Sequence, residues 1–202
     1  MLYLHLIIGK SLSGKSTLCD QLEKRDIPQI ITTTTRPKRE HEVNGRDYHF
    51  TNLGQALNDI ENDQAIAPRK YHVANGETWY YYLSYKELKH LSNKSQHHNL
   101  QRTLILDGQG FIDLINYLKV HTELDVKVIP WYLNVDLYTR LKRYVDGQRQ
   151  HEDPREVVRR LYMDEFHDFK MMDDQKFIKS HHVNQIQNLN DMLKQLPHVI
   201  HN

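Results

Sequence analysis

Leu2-Tyr3-Leu4-His5-Leu6-Ile7-Ile8-Gly9-Lys10-Ser11-Leu12-Ser13-Gly14-Lys15-Ser16 is the stretch that decides the fold. Leu2 to Ile8 is apolar and β-prone and stops at Gly9. A helical pattern starts near Ser16, with Leu18, Cys19 and Leu22 on one side. Strand, glycine-bearing loop and helix are the first half of a βαβ unit. Gly9 to Ser16 also fits G-x-x-x-x-G-K-[ST], and the spacing has a physical reason. A tight loop ahead of a helix N-terminus turns successive backbone N–H groups inward and forms an anion cup. Gly9 and Gly14 permit a backbone that a β-carbon hinders. Lys15 is expected on the β- and γ-phosphates of ATP and the Ser16 hydroxyl on Mg²⁺. The expected ATP-binding set is Gly9, Lys10, Ser11, Leu12, Ser13, Gly14, Lys15, Ser16 and Thr17. The bland alternative is a glycine turn with an exposed lysine. The strand before the loop and the helix after it argue against that.

Further strands are predicted at Gln29 to Thr33, Tyr48 to Phe50, Thr103 to Leu106 and Val126 to Leu133. Helical periods appear at Leu53 to Ile60, Tyr85 to Leu91 and Phe111 to Val120, around Val157 to Tyr162 after Pro154, and at Leu189 to Leu196. This alternation predicts an α/β fold, a P-loop NTPase-type parallel sheet covered by helices. Two regions break it. Thr32 to Tyr82 mixes short strands with polar turns and reads as an inserted substrate-binding subdomain, taken as 32–100. The polar run 144–153, with Gly147, reads as a lid. The core is then 1–31, 101–143 and 154–202 of a single domain.

The 202 residues carry a formal net charge of +1, so no global basic field of the kind a non-specific nucleic-acid binder needs is present. Cys19 is the only cysteine, which excludes an intramolecular disulfide and suits a reducing compartment. Its place among Leu18 and Leu22 favours a packing role over a reactive thiol. No apolar run approaches the ~20 residues that span a bilayer. The expectation is a soluble, cytoplasmic protein that takes small-molecule substrates, binds neither nucleic acid nor membrane, and exists as a monomer or homodimer. The fourteen histidines are scattered, and the pairs His97–His98 and His181–His182 lack the helical spacing of a zinc site.

A phosphate loop alone also serves GTPases and ATPases. Asp107-Gly108-Gln109-Gly110 fits an Asp-x-x-Gly switch, but Asn93-Lys94-Ser95-Gln96 lacks the aspartate of a guanine-recognition segment, which argues against a GTPase. The next informative stretch is Thr32-Thr33-Thr34-Thr35-Arg36-Pro37-Lys38-Arg39, followed by Glu42-Val43-Asn44-Gly45-Arg46-Asp47-Tyr48-His49-Phe50. Two arginines three apart, with hydroxyls before and a tyrosine after, suit a phosphate monoester, because guanidinium groups grip phosphate oxygens bidentately and a phenol adds a neutral donor. A basic surface loop with a threonine-rich edge is the equally open alternative.

At this point the sequence resembles guanylate kinases. Thr34-Thr35-Arg36, Arg39, Glu42, Gly45, Asp47, Tyr48 and Phe50 fall in that family's order and spacing, as do Tyr81-Tyr82-Leu83-Ser84 and Leu106-Asp107-Gly108-Gln109-Gly110. The resemblance implies an ATP- and Mg²⁺-dependent nucleoside monophosphate kinase. Arg36, Arg39, Tyr48 and Tyr82 would hold the acceptor phosphate, and Thr32 and Ser84 would touch the base. Asp107 would lie near Mg²⁺, through water, or near the base amine. Arg149 and Arg160 would act with Lys15 on the transferred group, and Asn184 would sit at the adenine pocket. Each has a plainer reading: Tyr82 as a core aromatic, Asp107 as a helix cap, the two arginines as solvated charges.

The match departs at the family's guanine-reading glutamate. Counting back from Tyr82 gives Val73, and aligning on the preceding strand gives Ala67; the nearest carboxylate is Glu77. His41 and Leu83 stand where the family has glycine. The implied reaction is phosphorylation of GMP or dGMP. The alternatives are another monophosphate or ribose 1,5-bisphosphate as acceptor, the latter sharing the short segment Ala74-Asn75-Gly76, and a non-catalytic interaction module of the same scaffold.

Overall fold

The computed structural model of the protein describes residues 1–40, 42–96, 98–148 and 153–200. Along the chain these form β1 (Leu2–Ile8), α1 (Lys15–Glu23), β2 (Thr33–Thr34), β3 (His49–Phe50), α2 (Leu53–Glu61), β4 (Ala65–His72), β5 (Thr78–Ser84), α3 (Tyr85–Ser95), β6 (Leu100–Leu106), α4 (Gly108–Val120), β7 (Val126–Leu133), α5 (Leu137–Arg143), α6 (Pro154–Met163), α7 (Lys170–Asp173), α8 (Gln175–Ser180), β8 (Asn184–Ile186) and α9 (Leu189–Ile200). Single π-helical turns follow α5 and α6, at Tyr144–Gln148 and Asp164–Asp168. The chain divides into two compact units, one holding Tyr3–Gln29, Gln101–Gln109 and Val128–Asn202, the other Met1–Leu2, Ile30–Leu100 and Gly110–Lys127.

The first unit is built on a sheet ordered β6-β1-β7-β8, in which β7 and β8 run parallel with Trp131 opposite Asn184. β1 is near-continuously apolar because it lies inside the sheet with neighbours on both sides. Ile7, Leu18, Leu22, Trp131, Ile186 and Met192 belong to one buried cluster. Each such side chain contributes about 1.5–3 kcal/mol by leaving water. Cys19 is 2% exposed and burial pushes its thiol up to about 12, so it is a packing residue. Among the described residues, His5 is the one imidazole buried in the sheet core. Trp131 Nε1 donates to His5 Nδ1 at 3.2 Å, which leaves the proton on Nε2, 2.9 Å from the Gln101 carbonyl oxygen. Both ring nitrogens are satisfied only by a neutral imidazole, and burial lowers its pKa accordingly.

The second unit carries a sheet ordered β3-β2-β5-β4. β4 and β5 are a hairpin whose turn runs from Val73 to Glu77, closed by Val73 N–H to the Glu77 carbonyl at 3.0 Å and Gly76 N–H to the Val73 carbonyl at 2.9 Å. The turn needs Gly76 at φ 87°, a left-handed backbone that glycine adopts at little cost. The ladder pairs Ile66 with Leu83 and Arg69 with Tyr81. Two residues of β4 therefore face one of β5, a bulge, and Ala67 within it sits at φ 48°. α2 is capped by Asn52, whose carbonyl oxygen accepts from the Gln55 amide at 2.9 Å. Its Ala56 packs with Ala65 and Tyr82.

Several expectations change in detail. The strand expected at Gln29 to Thr33 is only the bridge Gln29–Thr103 and the two-residue β2. The stretch 69–78 forms most of the β4–β5 hairpin. Leu83 lies inside β5 opposite Ile66, so no glycine conformation is required there. Of the expected lid, Tyr144–Gln148 is a π-helical turn with Gly147 at φ 92°, whereas 149–152 lie outside the described residues, as does His41. No described helix is long and apolar enough to cross a membrane.

Candidate functional site

The phosphate loop connects β1 to α1. A β-carbon on Gly9 would stand 2.8 Å from Ser13 Oγ and 3.0 Å from the Leu133 carbonyl oxygen, so the loop closes onto β7 only with glycine here. Gly14 takes φ 100° at the N-cap of α1. Leu12 also has a left-handed backbone, at φ 64°. That conformation is costly for a residue with a side chain. Arg143 of α5 spans the turn and offsets the cost: its Nη1 donates to the carbonyls of Leu12 at 2.9 Å and Ser13 at 2.6 Å. Lys15, in the first turn of α1, folds back and donates to the carbonyls of Gly9 at 2.6 Å and Lys10 at 3.0 Å. Ser16 and Thr17 are exposed on the same turn.

Beneath the loop lies a charge network. Arg140 of α5 is fully buried. It forms an ion pair with Glu165, approaches Asp164 at 3.6 Å, and donates to the Ser11 carbonyl at 3.2 Å. Glu165 also accepts from Lys10 Nζ at 2.9 Å, and the Ser11 amide donates to Asp164 at 2.6 Å. Burial raises the Asp164 carboxyl above its ordinary range even though the Ser11 amide works to lower it. Both acids come from the π-helical turn after α6, a rare element that recurs at functional sites. Lys10 and the Ser11 amide, expected on the ATP phosphates, are thus engaged from below by Glu165 and Asp164.

In the second unit, one face of the hairpin sheet gathers cations and phenols. Arg36 is 5% exposed and bonds bidentately to Glu42, at 3.0 and 2.6 Å. Burial opposes the Glu42 charge, but Arg36 and the Arg39 amide hold its carboxyl below the ordinary value. The Arg36 guanidinium lies 5.3 Å from the Tyr48 ring centre and 5.7 Å from that of Phe50. Tyr48 meets Tyr81 edge-on at 5.9 Å, and Tyr81 meets Tyr71 at 5.6 Å. The loop that brings Tyr48 here turns at Gly45, φ 80°, whose amide donates to the Tyr48 carbonyl at 2.8 Å.

The family model that describes guanylate kinases matches residues 3–196. The chain belongs to the guanylate kinase family. It is 46% identical over 61 residues to a guanylate kinase of Helicobacter hepaticus, covering 29% of this chain and 30% of that protein. It is 35% identical over 117 residues to a guanylate kinase of Blochmanniella floridana, covering 56% of this chain and 51% of that one. The chain therefore spans about half or less of the length of these curated relatives. Among solved structures, the guanylate kinase from Anaplasma phagocytophilum has the same fold, with a TM-score of 0.56 and 17% identity over 98% of this chain and 84% of that one. The mixed α/β architecture with a parallel sheet is thus the P-loop type expected.

Within this guanylate kinase family fold, the expected residues fall in different places. Arg36 and Tyr48 come together on one face. Arg39 is exposed, and its amide donates to Glu42 at 2.8 Å. Thr32 lies just ahead of β2, where its carbonyl accepts from the His49 amide at 2.9 Å. Tyr82 does not join this face. It is 1% exposed on the opposite side of β5, with its hydroxyl donating to Asp59 at 2.6 Å, and the tyrosine beside Tyr48 and Arg36 is Tyr81. Adjacent strand residues point to opposite faces, so only one of the two can be there. Ser84 alternates with Tyr82 and pairs with Ala65, which packs in the Tyr82 cluster. Asn184 is the first residue of β8, and its side-chain amide donates to the Pro130 carbonyl at 3.0 Å, a brace between strands. Asp107 follows the end of β6, half-buried. Arg160 lies on α6 with its Nε 3.6 Å from Glu156, and Arg149 lies outside the described residues. Ala67 and Val73, at the position of the family's glutamate, are both buried, and Glu77 accepts from Trp79 Nε1 at 2.9 Å in the hairpin turn. Tyr81, Arg140, Arg143, Asp164 and Glu165 join these sites without a sequence motif that marks them. For Tyr81 the aromatic run 79–82 was the signal, but without the ladder it did not say which ring faces which way.

Proposed function

We propose that this chain catalyses transfer of the terminal phosphoryl group of ATP to the phosphate of a nucleoside monophosphate, with GMP or dGMP as the first acceptors to test. The observation that carries this reading is the presence, in one chain of the guanylate kinase family, of a formed phosphate loop with Lys15 and of the Arg36–Tyr48–Tyr81 face. The loop amides and Lys15 bind the ATP phosphates, with Lys15 exchanging the Gly9 and Lys10 carbonyls for phosphate oxygens. Arg36, Arg39, Tyr48 and Tyr81 hold the acceptor phosphate, and Thr32 remains assigned to the base, whereas Ser84 lies on the Tyr82 face and is left out of the acceptor site. Arg149 and Arg160 act on the transferred group. Catalysis is then positioning and charge neutralisation, with no covalent step on the protein.

The exposed Ser16 hydroxyl and the Asp107 carboxylate are the hard-oxygen donors that Mg²⁺ takes when phosphates and water complete its shell. An ion held there would offset negative charge on the ATP phosphates.

A second reading concerns only the acceptor. With buried Ala67 and Val73 where a carboxylate would read guanine, another monophosphate or a sugar bisphosphate fits the same chemistry. A coupled ADP-release assay with ATP·Mg²⁺ against GMP, dGMP, AMP, CMP, UMP, dTMP and ribose 1,5-bisphosphate tests both. Preference for GMP or dGMP supports the first reading, and preference for another acceptor supports the second. ATP binding with no stimulation by any of the seven overturns the kinase reading.

A further inference from the structure

Arg69 stands directly opposite Tyr81 in the β4–β5 ladder. Its guanidinium lies 5.8 Å from the Tyr71 ring centre, and Tyr71 is in edge contact with Tyr81. Arg36, Tyr48, Tyr81, Tyr71 and Arg69 therefore form one unbroken row of cation, three phenols and cation. The bulge is what brings Arg69 into it. Counted by simple alternation from Ile66, Arg69 would fall on the Tyr80–Tyr82 face. The extra residue at Ala67–Pro68 restores it to the Tyr81 face. That re-aiming holds Ala67 in a left-handed backbone while it is 3% exposed. Strain of this kind persists where the surroundings enforce it, and it clusters at ligand-binding positions.

Charge accounting points the same way. Arg36 is buried and its charge is matched by Glu42 through two hydrogen bonds. A phosphate monoester carries close to two negative charges at neutral pH. The Arg36–Glu42 pair brings no net charge to such a phosphate, so the site needs a cation beyond Arg36, and Arg69 is the guanidinium at the other end of the row.

We infer that Arg69 is an acceptor-binding residue, donating to the phosphate monoester held at Tyr48 and Tyr81 and selecting acceptors that bring a dianionic phosphate to this face. This rests on the proposed reading of the Arg36 face as the acceptor site.

The test is kinetic first. Arg69→Ala is expected to raise KM for the best acceptor of the panel by roughly tenfold to a hundredfold, as for loss of a charge-assisted bond. KM for ATP should stay within about twofold, since Arg69 belongs to the other unit. Arg69→Lys should recover part of the loss. Unchanged acceptor KM in Arg69→Ala overturns the inference, and so does an equal rise in both KM values. If no acceptor supports turnover, equilibrium binding separates the two ideas. In a Lys15→Ala background, which silences the loop, inorganic phosphate binding measured by calorimetry should be lost on adding Arg69→Ala. Retained phosphate binding overturns the role of Arg69, and lost binding supports it even where the kinase reading has failed.

Discussion

The Ser11 amide donates to the Asp164 carboxylate at 2.6 Å, tying the phosphate loop to the π-helical turn that follows α6. Next to Asp164, Glu165 binds both Lys10 and the fully buried Arg140. The loop is thus set by acids 153 and more residues away in sequence. Glu165→Gln keeps an acceptor for Lys10 but removes the charge opposite Arg140. Glu165 is 25% exposed, so the expected loss is about 1–3 kcal/mol, below that of a fully buried pair. Urea unfolding checks this. The variant should also raise KM for ATP severalfold and leave KM for the acceptor unchanged.

Lys15→Ala is expected to lower kcat by at least about a hundredfold, because one preorganised cation at the developing charge is lost. The fold should remain, since the bonds Lys15 makes to the Gly9 and Lys10 carbonyls lie within the loop itself. Near-normal turnover in a folded variant would remove the loop from the mechanism.

Tyr81→Phe and Tyr82→Phe separate the two faces of β5. Tyr81→Phe should raise KM for the acceptor by about tenfold with little effect on stability. Tyr82→Phe removes one of the two bonds to the Asp59 carboxylate, the other coming from Gln55 Nε2, and should cost about 1–2 kcal/mol with acceptor KM unchanged. Paired kinetics and thermal unfolding of both variants decide the assignment, and the reverse pattern would return the acceptor phosphate to Tyr82.

His5 makes stability pH-dependent. Burial lowers its folded-state pKa below the ordinary 6.5. The unfolded chain therefore binds this proton first as pH falls. The stabilisation from the neutral imidazole is present above about pH 6.5 and is lost as pH drops towards the lowered folded value. Urea unfolding between about pH 7.5 and 5.5 should show this loss. His5→Gln, which keeps an acceptor for Trp131, should flatten the slope in that window.

What the sequence by itself determined was local. Leu2 to Ile8 reads as a strand because its apolar run is continuous and stops at a glycine, and Gly9 to Ser16 reads as a phosphate loop because the glycine and lysine spacing suits an anion cup at a helix N-terminus. Arg36, Glu42, Gly45 and Tyr48 were legible together because one short loop carries all four. Tertiary structure decided the rest. β5 is aromatic on both faces, so no hydrophobic period distinguishes Tyr81 from Tyr82. Their assignment came from pairing with Thr34 and Thr33 of β2. Arg69 reaches the Tyr81 face through a bulge, a register shift that period-two reading does not contain. Arg140, Arg143, Asp164 and Glu165 carried no signal, because in sequence nothing marks a charge that the fold will set against a loop more than a hundred residues away.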